Sequence, residues 1–260
     1  MLGAIAGDII GSIYEGSKAR DTNFKLFTTE SRFTDDTVLT LATADTLLRA
    51  TPYCENYKLF GRNFPNRGYG GRFRQWLASD DLAPYQSYGN GSAMRVSPVG
   101  FAFDKLYEVL AEAKESASAT HDHPEGIKGA EAIASAIFLA RQGKTKEEIK
   151  TYITDTFGYN LERTIAKIRP TYTFDATCQG TVPEAIIAFL DSHNFESCIR
   201  LAVSLGGDAD TLAAMAGGIA QAYYGKIPYE IIYLVQHKLG KVLWESVEEF
   251  NEIYDIKIES

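Results

Sequence analysis

The chain has 260 residues, 45% hydrophobic and 23% charged, and no linker or composition break divides it, so one domain over residues 1–260 is expected. A formal charge of −8 disfavours a general nucleic-acid binder, and an anionic substrate would need local help from a metal, a helix N-terminus or a few arginines. Cys54, Cys178 and Cys198 form no CxxC or Cys/His cluster, and no apolar run reaches the roughly 20 residues of a membrane span, so a cytoplasmic protein without disulfides, structural zinc or membrane helix is expected.

The opening residues 1–16 are apolar, but they lack a basic n-region and Asp8 interrupts them, which argues against a signal peptide. Residues 36–50 place Val38, Leu41, Ala42, Asp45 and Leu48 on one helix side, most of it apolar. The segment 56–79 interleaves Lys58, Arg62, Arg67, Arg72 and Arg74 with aromatic residues and contains no acid. It reads as a basic face over an aromatic core, as a positive rim that attracts a diphosphate or shapes an acceptor pocket, or, against the net charge, as a nucleic-acid-binding surface. Residues 104–119 and 125–142 are Ala-rich helices without internal proline. Thr145 and Glu148 form a capping-box pattern at the start of a helix over 145–156, and Thr181 with Glu184 predicts a second such start, Pro183 lying early in that helix. Helices at 195–205, 209–224 and 228–254 complete the set. Only 170–177 looks extended, with irregular loops near 15–35, 62–72, 80–98 and 170–180. The fold class is therefore all-α, and the 15 Tyr and 14 Phe are assigned mainly to its core.

Two clusters combine acids with threonine at helix starts. Thr34-Asp35-Asp36 precedes the helix at 38, and Gly206-Gly207-Asp208-Ala209-Asp210-Thr211 precedes the helix at 212. Capping and the helix dipole explain one acid at such a start, worth about 0.5–2 kcal/mol. They do not explain two, flanked by apolar residues and without a Lys or Arg in either cluster. Buried carboxylates need partners, and a hard divalent cation shared between the clusters would supply one. A third cluster, Gly89-Asn90-Gly91-Ser92, bares successive backbone N–H groups as anion loops do, but no Gly-Lys-Ser/Thr of a Walker loop follows.

Thr34-Asp35-Asp36, Gly89-Asn90-Gly91-Ser92-Ala93-Met94-Arg95, Thr120-His121-x-His123-Pro124 and Gly207-Asp208-x-Asp210-Thr211 occur in the order found in ADP-ribosylglycohydrolases, and the chain resembles that family over about residues 1–225. The stretch from Gly3 through Asp8 and Gly11 to Glu15 is similar to the family's first helix. The resemblance implies a compact orthogonal helix bundle with two divalent cations, Mg²⁺ or Mn²⁺, in a central cleft. It implies metal ligands at Thr34, Asp35 and Asp36 on one side and at Asp208, Asp210 and Thr211 on the other. Asn90, Gly91, Ser92 and Met94 match the loop that meets the diphosphate and adjoining ribose, and His121 matches an ADP-ribose contact.

The implied reaction is hydrolysis of the bond between the distal ribose of ADP-ribose and an acceptor, in an ADP-ribosylated protein or an ADP-ribosyl small molecule. Asp36 is the first choice for activating water, with Asp208 or Asp210 second. Glu15, followed by the polar segment 16–21, is expected on a mobile flap that reaches metal or the scissile ribose and is one candidate for a leaving-group acid that the sequence does not name; the alternative is a surface glutamate near the end of the first helix. The alternatives are a hydrolase of O-acetyl-ADP-ribose or another nucleotide-ribose, and a non-catalytic ADP-ribose binder. His123 and Pro124 are read as shaping a turn, Arg95 as either a structural ion pair or a phosphate contact, and His193 and His237 as ordinary helical or surface residues.

Overall fold

The computed structural model describes residues 1–16 and 19–257. Their regular structure is α1 (Leu2–Gly11), α2 (Asp35–Arg49), α3 (Tyr53–Asn63), α4 (Gly71–Ala78), α5 (Gly91–Met94), α6 (Ser97–Ala102), α7 (Leu106–Ser118), α8 (Pro124–Arg141), α9 (Lys146–Phe157), α10 (Ile165–Ile168), α11 (Cys178–Asp191), α12 (Phe195–Val203), α13 (Ala209–Tyr224) and α14 (Tyr229–Ile253). Among the described residues there is no strand, only an isolated antiparallel bridge between Gly89 and Thr177. No helix is long and apolar enough to cross a membrane.

α1 is buried on every side, Asp8 included, and it lies against α13, itself buried from Ala209 to Gln221. The pairing follows from glycines one turn apart. A Cβ at Gly3 would stand 2.2 Å from the Gly217 carbonyl oxygen, at Gly7 2.0 Å from that of Ala213, and at Gly11 2.4 Å from the Asp210 Cα. No side chain fits in these positions, so the two backbones touch. The Gly3 N–H also donates to Gln221 Oε1 at 2.7 Å. The second inner element is α8, whose small residues Ala130, Ala132, Ala134 and Ala136 are buried and let α5, α6, α7, α9, α11 and α13 pack around it.

Local chemistry sets the ends. Thr145 and Glu148 form the expected capping box of α9. The start of α11 differs from the sequence reading. Its cap is Thr177, whose hydroxyl accepts from Gly180 N at 3.1 Å, while Thr181 one turn inside donates to the Thr177 carbonyl at 2.7 Å. Glu184 is not available as a box partner because Arg163 holds both its oxygens at 2.6–2.7 Å. The loop expected over 80–98 contains α5 and the start of α6, and α4 begins within the one expected over 62–72. Gly240, with φ of 72°, kinks α14. In the segment 56–79, Tyr57, Tyr69, Phe73 and Trp76 point into the core. Lys58 is buried with them, its Nζ bonded to the carbonyls of Trp76 and Ser79 and 4.4 Å above the Trp76 ring.

Candidate metal centre and substrate cavity

Because α1 rides on α13, Asp8 comes to the start of α13, where Asp210 stands. α2 is then pinned to α1 by that same aspartate. Asp8 Oδ2 accepts from the amides of Thr34 (2.9 Å) and Thr37 (3.1 Å) and from the Thr37 hydroxyl, and Oδ1 accepts from the Thr34 hydroxyl at 2.7 Å. One buried carboxylate thus takes the Thr37 amide of the first turn of α2 and holds the capping residue Thr34 by both its amide and its hydroxyl. Carboxylate oxygens of Asp8, Asp36 and Asp210 gather within 4.8 Å of one another, all three residues buried.

Asp36 is only half satisfied by the protein. Its Oδ2 accepts from Thr211 Oγ1 at 3.3 Å and lies 3.4 Å from Thr34 Oγ1, whose hydrogen goes to Asp8, but the buried Oδ1 has no partner among the described residues. Asp210 Oδ1 accepts from the Thr211 amide at 3.0 Å. Asp208, the residue before α13, accepts from Asn90 Nδ2 at 2.8 Å, and the turn leading to it needs left-handed backbone at both Gly206 and Gly207 (φ 69° and 65°). Asp35 is half-buried; its amide donates to the Arg67 carbonyl at 2.8 Å.

Burial, then Asp210, pushes Asp36 well above the usual carboxylate range, and burial, then Asp208, does the same to Asp210. Asp35 is pushed up to about 8 by burial and then by Asp8. Asp8 and Asp208 are also raised by burial, against the lowering effect of their hydrogen bonds from Thr37 and Asn90 respectively. None of these five acids is in an ion pair with Lys or Arg among the described residues. Mutual repulsion and an orphaned oxygen in an all-oxygen set are the features a hard divalent cation corrects. The residues therefore fit a divalent cation, the kind of group that the family resemblance implies.

The carboxylates open into a cavity of about 380 Å³, within the range of small-molecule sites. Thr34, Asp35, Asp36, Asp208, Asp210 and Thr211 all lie on its wall. So do Glu15, Asn90, Gly91, Met94 and His121. Glu15 is exposed, and the next amide, Gly16, donates to the Gly207 carbonyl at 2.8 Å. Of the segment 16–21, Ser17 and Lys18 lie outside the described residues. Ser92 stands apart from the wall. It is fully buried, and its hydroxyl donates to the Gly126 carbonyl at 2.7 Å, tying α5 to α8. The Gly-Asn-Gly turn is fixed to the 170–177 segment by Asn90 N to Ala176 O (2.8 Å), and Tyr88 before it accepts from the amide of Cys178, the first residue of α11 (3.0 Å).

His123 caps α8, its Nδ1 accepting from the Glu125 amide at 3.1 Å. Among the described residues Arg95 has no carboxylate partner: it is fully buried, 3.9 Å over the Tyr57 ring, and donates to Ser116 O and Thr120 Oγ1. His193 and His237 are exposed. Residues not singled out as site residues are also on the wall. Asp8 lies behind it, and Phe174, Tyr85, Arg32, Arg67 and Arg72 line it. Arg67 is stacked 3.7 Å over Phe33, and Phe174 stays 53% exposed, an open flat face beside the cavity.

Comparison with known proteins adds three kinds of likeness. The ADP-ribosylglycohydrolase family profile matches residues 1–257. The ADP-ribosylhydrolase ARH3 of Gallus gallus is 28% identical, over 87% of this chain and 84% of its own length. The ADP-ribosylarginine hydrolase Tri1 of Pseudomonas putida (strain GB-1) is 27% identical, over 97% of this chain and 79% of its own length. A solved structure described as an ADP-ribosylglycohydrolase-related protein complex superposes with a TM-score of 0.74 at 27% identity, covering 98% of this chain and 95% of that one.

Proposed function

The chain belongs to the ADP-ribosylglycohydrolase family, and from that premise we propose that it is a divalent-cation-dependent hydrolase cleaving the bond between the distal ribose of ADP-ribose and an acceptor. The observation that carries the reading is the convergence of Asp36, Asp208 and Asp210 with the Gly89–Gly91 turn and His121 on one cavity. A carboxylate cluster alone is a cation site. A Gly-rich turn alone is an anion cradle. Together they fit a ligand with a diphosphate at one end and a ribose at the other.

In this reading Thr34, Asp35, Asp36, Asp208, Asp210 and Thr211 hold the cations, Mg²⁺ or Mn²⁺, and Asp8 orients Thr34 because both its own oxygens are already bonded. Divalent cations bound there supply positive charge that orients ribose hydroxyls and makes water more acidic. The protein's own groups do the rest. The bond from ribose C1 to the acceptor breaks, and the oxygen of a water joins C1. Asp36 takes the proton of that water, with Asp208 or Asp210 as the second choice. Glu15 gives a proton to the leaving acceptor. The buried carboxylates also stabilise the oxocarbenium character that develops at C1. Asn90, Gly91, Met94 and the backbone of Ser92 face the diphosphate and its ribose. Residues 1–260 are taken as a single domain, and the free Cys54, Cys178 and Cys198 suit the reducing cytoplasm.

The test is to incubate the protein and Mg²⁺ or Mn²⁺ with ADP-ribosyl-arginine, ADP-ribosyl-serine and O-acetyl-ADP-ribose and to measure released ADP-ribose. Chelator-sensitive release from at least one supports the reading and names the acceptor class. Tight ADP-ribose binding without release from any would make the protein a binder on this fold.

A further inference from the structure

Arg95 borders the cavity, and its Nε and Nη1 are buried without an acceptor among the described residues. Its guanidinium is fully buried and lies 3.9 Å over Tyr57, while Nη2 donates to the Ser116 carbonyl at 3.0 Å and to Thr120 Oγ1 at 2.9 Å. Tyr57 is fixed in turn, its hydroxyl 2.8 Å from Ser116 Oγ and 3.0 Å from Thr43 Oγ1. Arginine can only donate, so Thr120 Oγ1 is the acceptor in that bond. On its other side Thr120 Oγ1 lies 2.7 Å from His121 Nδ1.

The proton of the Thr120 hydroxyl decides the state of the imidazole. Thr120 is fully buried, and Nδ1 is the one acceptor bonded to that hydroxyl among the described residues. If Nδ1 carried a proton, Thr120 Oγ1 would receive two donors and its own hydrogen would be buried without an acceptor, a costly arrangement. A doubly protonated ring meets the same obstacle. Burial, followed by Arg95 and Arg72, also pulls the His121 pKa well below the histidine range.

The far side of the ring faces the cavity. His121 is on the cavity wall, and its Nε2 stands 3.0 Å from where a Cβ on Gly91 would be and 3.6 Å from one on Gly89. The glycines leave that nitrogen uncovered beside the turn.

We propose that Arg95 and Thr120 are positioning residues that lock His121 in its Nε2–H tautomer, making it a fixed hydrogen-bond donor to a ligand oxygen at the Gly89–Gly91 turn. His121 is then a neutral donor throughout turnover and exchanges no proton with substrate. Only the identity of the receiving oxygen, on ADP-ribose, rests on the function proposed above.

The imidazole ¹⁵N resonances of the uniformly labelled protein test this directly, since the chain has only four histidines and His121→Gln assigns the one in question. The expected result is an unprotonated Nδ1 and a protonated Nε2 that do not titrate between about pH 5 and 8, where an ordinary histidine does. Thr120→Val keeps the shape and removes the hydroxyl; it should give a mixture of tautomers and bind ADP-ribose about tenfold more weakly. Thr120→Ser should restore both. A protonated Nδ1 in the unaltered protein, which needs no variant to fold, would overturn the proposal. So would wild-type tautomer and affinity in Thr120→Val. If ADP-ribose failed to bind even the unaltered protein while the tautomer and its response to Thr120→Val were as expected, the lock would stand and the ADP-ribose reading would fall.

Discussion

Gly7→Ala probes the link between the packing of α1 on α13 and the carboxylate site. The added methyl would stand 2.0 Å from the Ala213 carbonyl oxygen, whereas ordinary contact begins near 3.4 Å, so the helices must part by about 1.4 Å. The obstacle is backbone, which cannot swing aside, and this places the cost at the upper end of overpacking, about 3 kcal/mol. For a chain of this size that is a melting temperature lower by about 6–12 °C. The site suffers as well. Asp8 pins Thr34 and the start of α2 to α1, so parting α1 from α13 draws Asp36 away from Asp210. Cation–oxygen distances are near 2.0–2.6 Å, and the gathered oxygens lie within 4.8 Å of one another, a span that two such bonds can bridge. A further ångström leaves one carboxylate out of reach. Thermal melts with and without Mn²⁺, with calorimetric titration of the metal, should show a lower melting point and a lost Mn²⁺ stabilisation. Gly143→Ala is the control. Its Cβ would meet nothing, and only the left-handed backbone (φ 74°) is strained, so it should cost about 1 kcal/mol and leave Mn²⁺ binding intact. A Gly7→Ala protein that melts within about 2 °C of its parent and binds Mn²⁺ equally would refute the reasoning.

Other perturbations separate the roles of single residues. Asp210→Asn should abolish Mn²⁺ stabilisation and lower turnover at least about a hundredfold, and full activity of this variant after chelator treatment would remove Asp210 from the site. The chelator-treated protein should lose stability as pH rises. Its buried acids hold protons more tightly folded than unfolded, so their contribution to stability is greatest below the unfolded value of 3.8 and is lost as pH rises through the folded values, that of Asp35 at about 8 among them. Melting temperatures that rise over that window would contradict the clustered-carboxylate account, and saturating Mn²⁺ should flatten the dependence. Glu15→Gln should lower kcat while leaving ADP-ribose affinity and metal content nearly intact. An unchanged kcat would leave this exposed residue without a part in the reaction.

The acid-rich helix starts were legible because capping explains only part of their composition. Thr34 does cap α2, and that task leaves Asp36 Oδ1 unused. Asp8 was harder to place. In the sequence it reads as a break in an apolar run, and its meaning emerges only once Gly3, Gly7 and Gly11 bring α1 against α13. The signal was an acid inside a helix otherwise too apolar to face water. Ser92 shows the opposite limit. A motif identifies the loop but not which way a side chain turns, and here the hydroxyl serves the Gly126 carbonyl. Arg95 likewise lacks the acid that an ion pair requires, because Tyr57 and two oxygen acceptors replace it. The start of α11 was displaced by one turn because Thr177 and Thr181 both offer a capping hydroxyl, and Arg163 from a distant stretch takes the Glu184 carboxylate. Such partners are set by tertiary packing, which periodicity does not report. The same applies to Phe174, whose open face beside the cavity depends on the bridge between Gly89 and Thr177.

The most direct test of the central claim is a crystal of the protein grown with Mn²⁺ and ADP-ribose, with anomalous scattering used to locate the metal. The account predicts Mn²⁺ peaks at coordination distance, about 2.0–2.4 Å, from Asp36 Oδ1 and from Asp210. It also predicts the distal ribose of ADP-ribose beside them and the diphosphate along the Gly89–Gly91 turn. Anomalous peaks elsewhere, or ADP-ribose bound with its distal ribose away from the carboxylates, would contradict it.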